Sequence, residues 1–114
     1  CISCHQVDGA GLAPLYPPLA GSEYVLGDPD RLSLILLHGL HGPIQVAGRD
    51  YDQLMPPAPV KNDRDLAAVM TYIRQAWDNT ASPVMPEDVT RIRGLHRGRG
   101  RPWTITELDA LSGN

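Results

Sequence analysis

The chain has no phenylalanine, two cysteines and no long hydrophobic run, and each shortage narrows what it can be. Its 114 residues make one domain's worth, with room for one modest core. Aromatic rings usually fill much of such a core, yet they form 5 % of this chain. Something other than its own rings is therefore expected in the interior. Two cysteines exclude a dense disulfide framework. No apolar stretch approaches the roughly 18 to 20 residues of a membrane span. Basic charge is also short: the net charge is −3, and such a surface disfavours nucleic acid, whose phosphates reward basic patches. Glycine and proline are plentiful, eleven of each, which points to a loop-rich fold wrapped around something.

What is present begins at the first residue. Cys1-Ile2-Ser3-Cys4-His5 has the residue types and spacing of covalent c-type haem attachment. Two thiols three positions apart lie on one side of a helical turn, where both can form thioethers to one porphyrin. The histidine directly after them then serves as the proximal iron ligand. A zinc site would need about four ligands, commonly in two separated pairs, and the second pair is missing. A redox dithiol of the thioredoxin kind should follow a strand in a βαβ context, which is absent. A Cys1–Cys4 disulfide would close too short a loop to stabilise much. One haem c also explains the missing phenylalanines, because an apolar disc can occupy the interior.

The rest of the chain reads as a few short helices with one hairpin, an all-α architecture. Gln6 to Leu15 is a loop, and Tyr16-Pro17-Pro18 holds the chain extended. Asp28 caps a helix with Pro29 at its first position and Leu32, Ile35, Leu36 and Leu40 as its apolar stripe. Gly39 and Gly42 mark its end. Ile44, Val46 and Tyr51 around Ala47-Gly48 suggest a short hairpin. The strongest helix runs from about Asp63 to Trp77, capped by Asn62, with Leu66, Val69, Met70, Ile73 and Trp77 on one face. A further helix opens at Pro86, and Thr104-x-x-Glu107 is a capping box for a last one ending near Leu111. We divide the chain into a haem domain, 1–84, and a helical extension, 85–114, that packs on or flanks it. Residues 1–84 hold five basic and nine acidic side chains, a balance of −4; residues 85–114 hold five basic and four acidic, +1. The arginine run from Arg91 to Arg101 reads as a solvated face and tail, with docking of an acidic partner as the other reading.

An electron carrier needs a sixth iron ligand, and a methionine thioether raises the potential relative to histidine. Met70 falls on the apolar face of the long helix, where filling the core is the simpler role. Met85 leads into the helix at Pro86. Met55 stands in a loop stiffened by Pro56, Pro57 and Pro59, which leaves less chain freedom to lose on ligation. Met55 is the leading candidate and Met85 the next. His38, His41 and His96 are the nitrogen alternatives, and His38 or His41 could instead bond a haem propionate.

Cys1-x-x-Cys4-His5, Pro17-Pro18-Leu19-Ala20-Gly21, Met55-Pro56-Pro57 and Tyr72-Ile73 together resemble a class I mono-haem cytochrome c. The segments Leu37 to Pro43, Tyr72-Ile73-Arg74 and Pro86 to Val89 are similar to cytochrome c domains attached to bacterial periplasmic dehydrogenases and to some copper nitrite reductases. The resemblance covers residues 1 to about 101. It implies the cytochrome c fold and a hydrogen bond from the His5 ring to the carbonyl of Pro17, or of Pro18 if the register slips by one. It also implies that Tyr72 packs where an N-terminal helix crosses the long helix. The sequence starts on its first attachment cysteine and lacks that helix, so upstream residues or a larger polypeptide are expected.

These readings converge on a one-electron carrier with His5 and Met55 as axial ligands, rather than an enzyme. A dehydrogenase, possibly fused, is the expected donor, and another cytochrome or a terminal oxidase or reductase the acceptor. Attachment to this motif is a periplasmic or otherwise extracytoplasmic chemistry in bacteria. The competing function is a haem enzyme or gas sensor with a displaceable sixth ligand.

Overall fold

Capping groups and prolines start the two helices that carry most of the core. The computed structural model describes residues 1–111. Helix α1 is the single turn Ile2–His5, and α2 is Glu23–Leu26. Helix α3 is Pro29–His38; Asp28 accepts from the Asp30 amide at 2.9 Å, and Pro29 loses no helical hydrogen bond at the first position. Strands β1, Ile44–Val46, and β2, Arg49–Tyr51, pair antiparallel with Ile44 opposite Tyr51. Both turn residues between them have positive φ, 50° at Ala47 and 81° at Gly48, which matches the twist of a tight hairpin. Helix α4 is Asp63–Gln75, capped by Asn62, which accepts from the Asp65 amide at 2.8 Å. Helices α5, Pro86–Leu95, and α6, Ile105–Leu111, follow. Before α6, Thr104 and Glu107 exchange backbone and side-chain bonds of 2.9 and 3.2 Å as a capping box.

Helix α3 separates two apolar clusters. Its Leu32 and Leu36 pack with Val25, Leu66, Ala67, Met70, Ile73, Val84 and Val89. Its Leu34 and Ile35 pack with Leu40, Ile92, Trp103 and Leu108. Burying each large aliphatic side chain contributes about 1.5–3 kcal/mol before entropy is counted. Helix α5 lends Val89 to the first cluster and Ile92 to the second, so residues beyond 84 are part of the buried interior. Of the extension 85–114, residues 112–114 lie outside the described ones. Four arginines of the run are spent within the fold: Arg91 on Asp30, Arg93 on Asp63, and Arg99 and Arg101 on Glu107.

Three local features differ from the sequence reading. Helix α2 was not anticipated; Ser22 starts it by accepting from the Tyr24 amide at 3.2 Å. Helix α4 stops at Gln75, because Trp77 and Asp78 turn to φ values of 52° and 69°. Leu40 lies outside α3, which ends where Gly39 takes φ 88°. No helix among the described residues is long and apolar enough to cross a membrane.

Candidate functional site

Cys1, Cys4 and His5 share one helical turn. The Cys4 and His5 amides both donate to the Cys1 carbonyl, at 3.2 and 2.7 Å. Both thiols are free; Cys1 is exposed, Cys4 half-buried and His5 buried. The His5 Nδ1 atom lies 2.8 Å from the Pro17 carbonyl oxygen. A carbonyl only accepts, so Nδ1 carries the proton and Nε2 keeps its lone pair. Burial holds this imidazole below its ordinary pKa, partly offset by the bond to Pro17. A neutral imidazole with a free Nε2 is the form that binds a metal.

Glycines let the segments around His5 close on one another. Gly11 donates its amide to the His5 carbonyl at 3.0 Å. A Cβ at position 11 would stand 2.6 Å from the Pro17 carbonyl oxygen, and φ there is +67°. Farther along, Trp77 donates from its indole nitrogen to the Val7 carbonyl at 3.0 Å. Asn79 clips the same region, donating to the carbonyls of Leu19 and Ile73 and accepting from the Gly21 amide. Sequence reading missed Gly11, Trp77 and Asn79, whose roles rest on contacts between distant segments that no local pattern encodes.

The three methionines sit in different surroundings. Met70 is sealed in the first cluster and has no exposed surface, with its sulfur 3.5 Å from the Ser33 hydroxyl oxygen, which donates to the Pro29 carbonyl. Met85 is exposed and precedes α5 as its N-cap residue. Met55 is half-buried beside both clusters, and among the described residues its sulfur has no hydrogen-bond partner. Backbone bonds of 2.9 and 2.8 Å pair Met55 with Leu40. Thus Cys1, Cys4, His5 and Pro17 are joined directly, whereas Met55 is held by a separate framework.

The other histidines lie around Trp103, and of their rings only that of His38 is hydrogen-bonded among the described residues. His38 Nδ1 accepts from the Trp103 indole at 3.0 Å, and burial followed by the charge of Arg99 keeps its pKa low. His96 meets the same indole edge-on, with ring centroids 5.4 Å apart. His41 is exposed, and its amide donates to the Trp103 carbonyl at 2.8 Å. The donor set therefore fits a covalently held haem. Two free thiols lie beside a histidine whose outer nitrogen is uncommitted, and a thioether is left free on a half-buried loop.

The family model described as cytochrome c matches residues 1–77. Cytochrome c-552 of Thermus thermophilus is 34 % identical over 115 residues, covering 97 % of this chain and 77 % of the relative. The cytochrome c subunit of a quinone alcohol dehydrogenase from Gluconacetobacter polyoxogenes is 33 % identical, over 82 % of this chain but 20 % of that subunit. The cytochrome c subunit of gluconate 2-dehydrogenase from Pantoea cypripedii is 34 % identical, over 82 % of this chain and 22 % of its own length.

Proposed function

The chain belongs to the cytochrome c family of electron carriers, and we propose that it passes single electrons through one haem c held by Cys1, Cys4, His5 and Met55. When bound, haem c supplies an iron that alternates between two oxidation states. Cys1 and Cys4 would hold the group by thioethers, and His5 and Met55 would ligate its iron. Pro17 fixes the His5 ring and raises its basicity by accepting from Nδ1. The stiff loop from Met55 to Pro59 holds the thioether with little chain freedom left to lose. Apolar side chains of both clusters flank Met55 and shield part of it from water.

One observation carries this reading: His5 follows a free dithiol on one turn with Nδ1 already committed, so Nε2 is its one remaining donor. The identity of the sixth ligand is supported by Met70's complete burial within the first cluster and Met85's exposure, beside the half-buried, uncommitted sulfur of Met55.

Partners are redox proteins met briefly. Exposed Ile2, Val7, Leu12 and Leu15 lie on the attachment turn and the loop after it, and provide an apolar rim for small, transient contacts. The excess of acidic side chains in residues 1–84 would steer the protein toward a basic docking site. Relatives named as cytochrome c subunits of alcohol and gluconate dehydrogenases support a dehydrogenase as donor. The acceptor in this reading is a further cytochrome, oxidase or reductase, and the attachment motif supports a periplasmic or other extracytoplasmic location.

The test is maturation in a host competent for haem attachment. Mass spectrometry should find one covalent haem, and Cys1→Ser with Cys4→Ser should find none. The ferric protein should show the long-wavelength visible band of iron–sulfur bonding, and Met55→Ala should lose it. A band untouched by that substitution rules out Met55 as ligand.

A further inference from the structure

We propose that residues 99–107 form a brace that keeps Met55 in place, with Trp103 as its positioning residue. The inference rests on the reading of Met55 as an axial ligand. It starts from a three-rung ladder assembled from segments distant in sequence. Leu40 forms the centre, paired antiparallel with Met55 on one side and parallel with Trp103 on the other. The Leu40 amide and carbonyl both go to Met55, at 2.9 and 2.8 Å. The flanking groups go the other way: the Trp103 amide donates to the Gly39 carbonyl at 3.0 Å, and the His41 amide to the Trp103 carbonyl at 2.8 Å. Gly39 has φ +88°, and a Cβ there would stand 2.5 Å from the Met55 carbonyl oxygen, so the two loops are in close backbone contact.

Trp103 is anchored from every side. Its indole donates to His38, the last residue of α3, and lies in the second apolar cluster. The Arg99 guanidinium stacks 3.7 Å from its ring centroid. The same guanidinium bonds the Pro102 carbonyl at 2.6 Å and the Glu107 carboxylate at 2.8 and 3.1 Å. Glu107 in turn holds the Thr104 amide at the start of α6. The chain on both sides of Trp103 is thus fixed by Arg99 and Glu107, and Trp103 fixes the strand that pairs with Met55. Freeing Trp103 would let the Gly39–His41 strand, and Met55 with it, move away from its seat.

Imidazole added to the ferric holoprotein measures this directly, because it binds the iron only when the sixth ligand has left. The long-wavelength band reports the displacement. Trp103→Ala should leave the band in place without imidazole and raise the displacement rate by about tenfold, the effect of losing one to two hydrogen bonds' worth of restraint. Arg99→Gln, which leaves the apolar cluster whole, should raise it by about threefold. Val46→Ala removes buried volume outside both clusters that touch Met55 and serves as the control for general destabilisation. Displacement in Val46→Ala as fast as in Trp103→Ala, at matched thermal stability, would overturn the brace while leaving the ligand assignment intact. If Trp103→Ala does not fold, Arg99→Gln decides, and an unchanged rate there overturns the proposal. A band that survives Met55→Ala fails differently: it removes the ligand assignment, and the brace's role with it.

Discussion

Trp77 lies against Gly9 so closely that a Cβ on the glycine would stand 2.6 Å from the indole ring. The contact locks the loop after His5, because the same indole donates to Val7 and the Gly9 carbonyl accepts from the amides of Leu19 and Ala20. It also accounts for the early end of α4, since the left-handed turn at Trp77 and Asp78 departs from the helical path. Gly9→Ala should therefore destabilise the holoprotein by about 2–4 kcal/mol, from overpacking plus a φ of +67° that alanine resists. Trp77→Phe keeps most of the bulk and should cost about 1 kcal/mol for the lost bond to Val7. Urea titration checks both; a Gly9→Ala midpoint equal to the parent's would show that the loop is not held this way.

How legible this was in the sequence depends on the range of each interaction. Asp28-Pro29 and Thr104-x-x-Glu107 announce α3 and α6 because caps act over three residues, and the structure bears out both starts. Helix α2 spans four residues, too few for any periodicity to register. Spacing puts Leu40 on the stripe of α3, since nothing local reveals that its backbone pairs with Met55 and Trp103. The arginine run is a solvated face, with Arg91, Arg93, Arg97 and Arg101 exposed, but its partners Asp30 and Asp63 are far away in sequence and leave no local sign. At the site, the sharing of one helical turn by Cys1, Cys4 and His5 is readable from spacing alone. The bond from His5 to Pro17 followed from the family resemblance and agrees with the observed geometry. The supporting glycines were not readable, because a close approach leaves no trace in composition.

Gly11 offers a way to disturb His5 without touching the ring. Alanine at this position would press on the Pro17 carbonyl that accepts from Nδ1. A weaker bond makes the imidazole a poorer donor, which supports Fe(III) less. The reduction potential of Gly11→Ala should rise, and the His5 Nδ1 proton should exchange faster by NMR. A shift in stability with both readings unchanged would mean that the bond to Pro17 does not tune the ligand.

Arg74 is 3 % exposed, with no carboxylate within salt-bridge distance among the described residues. Its guanidinium donates instead to the carbonyls of Val25, Gly27 and Ser82 and to the Ser82 hydroxyl, at 2.9 to 3.2 Å. It joins the end of α2 and the loop before α5 to the last turn of α4. Arg74→Met should cost about 3–5 kcal/mol, because buried carbonyls lose their donors. Arg74→Lys, with a point charge in place of the planar fork, should recover only part of that loss. Denaturant midpoints rank the three proteins; a lysine variant as stable as the parent would mean that the fork geometry is immaterial.

Acid should loosen the C-terminal brace before it unfolds the rest. Hydrogen bonds from Arg99, then from the Thr104 amide and Arg101, hold the Glu107 carboxyl well below the usual carboxylate range. A group with a lowered folded pKa contributes stability that is fully present above its unfolded value and is lost as pH falls toward the folded one. The contribution should therefore be constant above about pH 5 and decline below the ordinary glutamate value of about 4.3. Glu107 is one-third exposed, so water screens part of the attraction and the effect is expected to weaken in salt. Glu107→Gln should be less stable than the parent at neutral pH. The gap between their denaturation midpoints should narrow steadily as the solution is acidified. A gap that stays constant down to pH 2 would mean that the carboxylate charge does not hold Arg99 over Trp103.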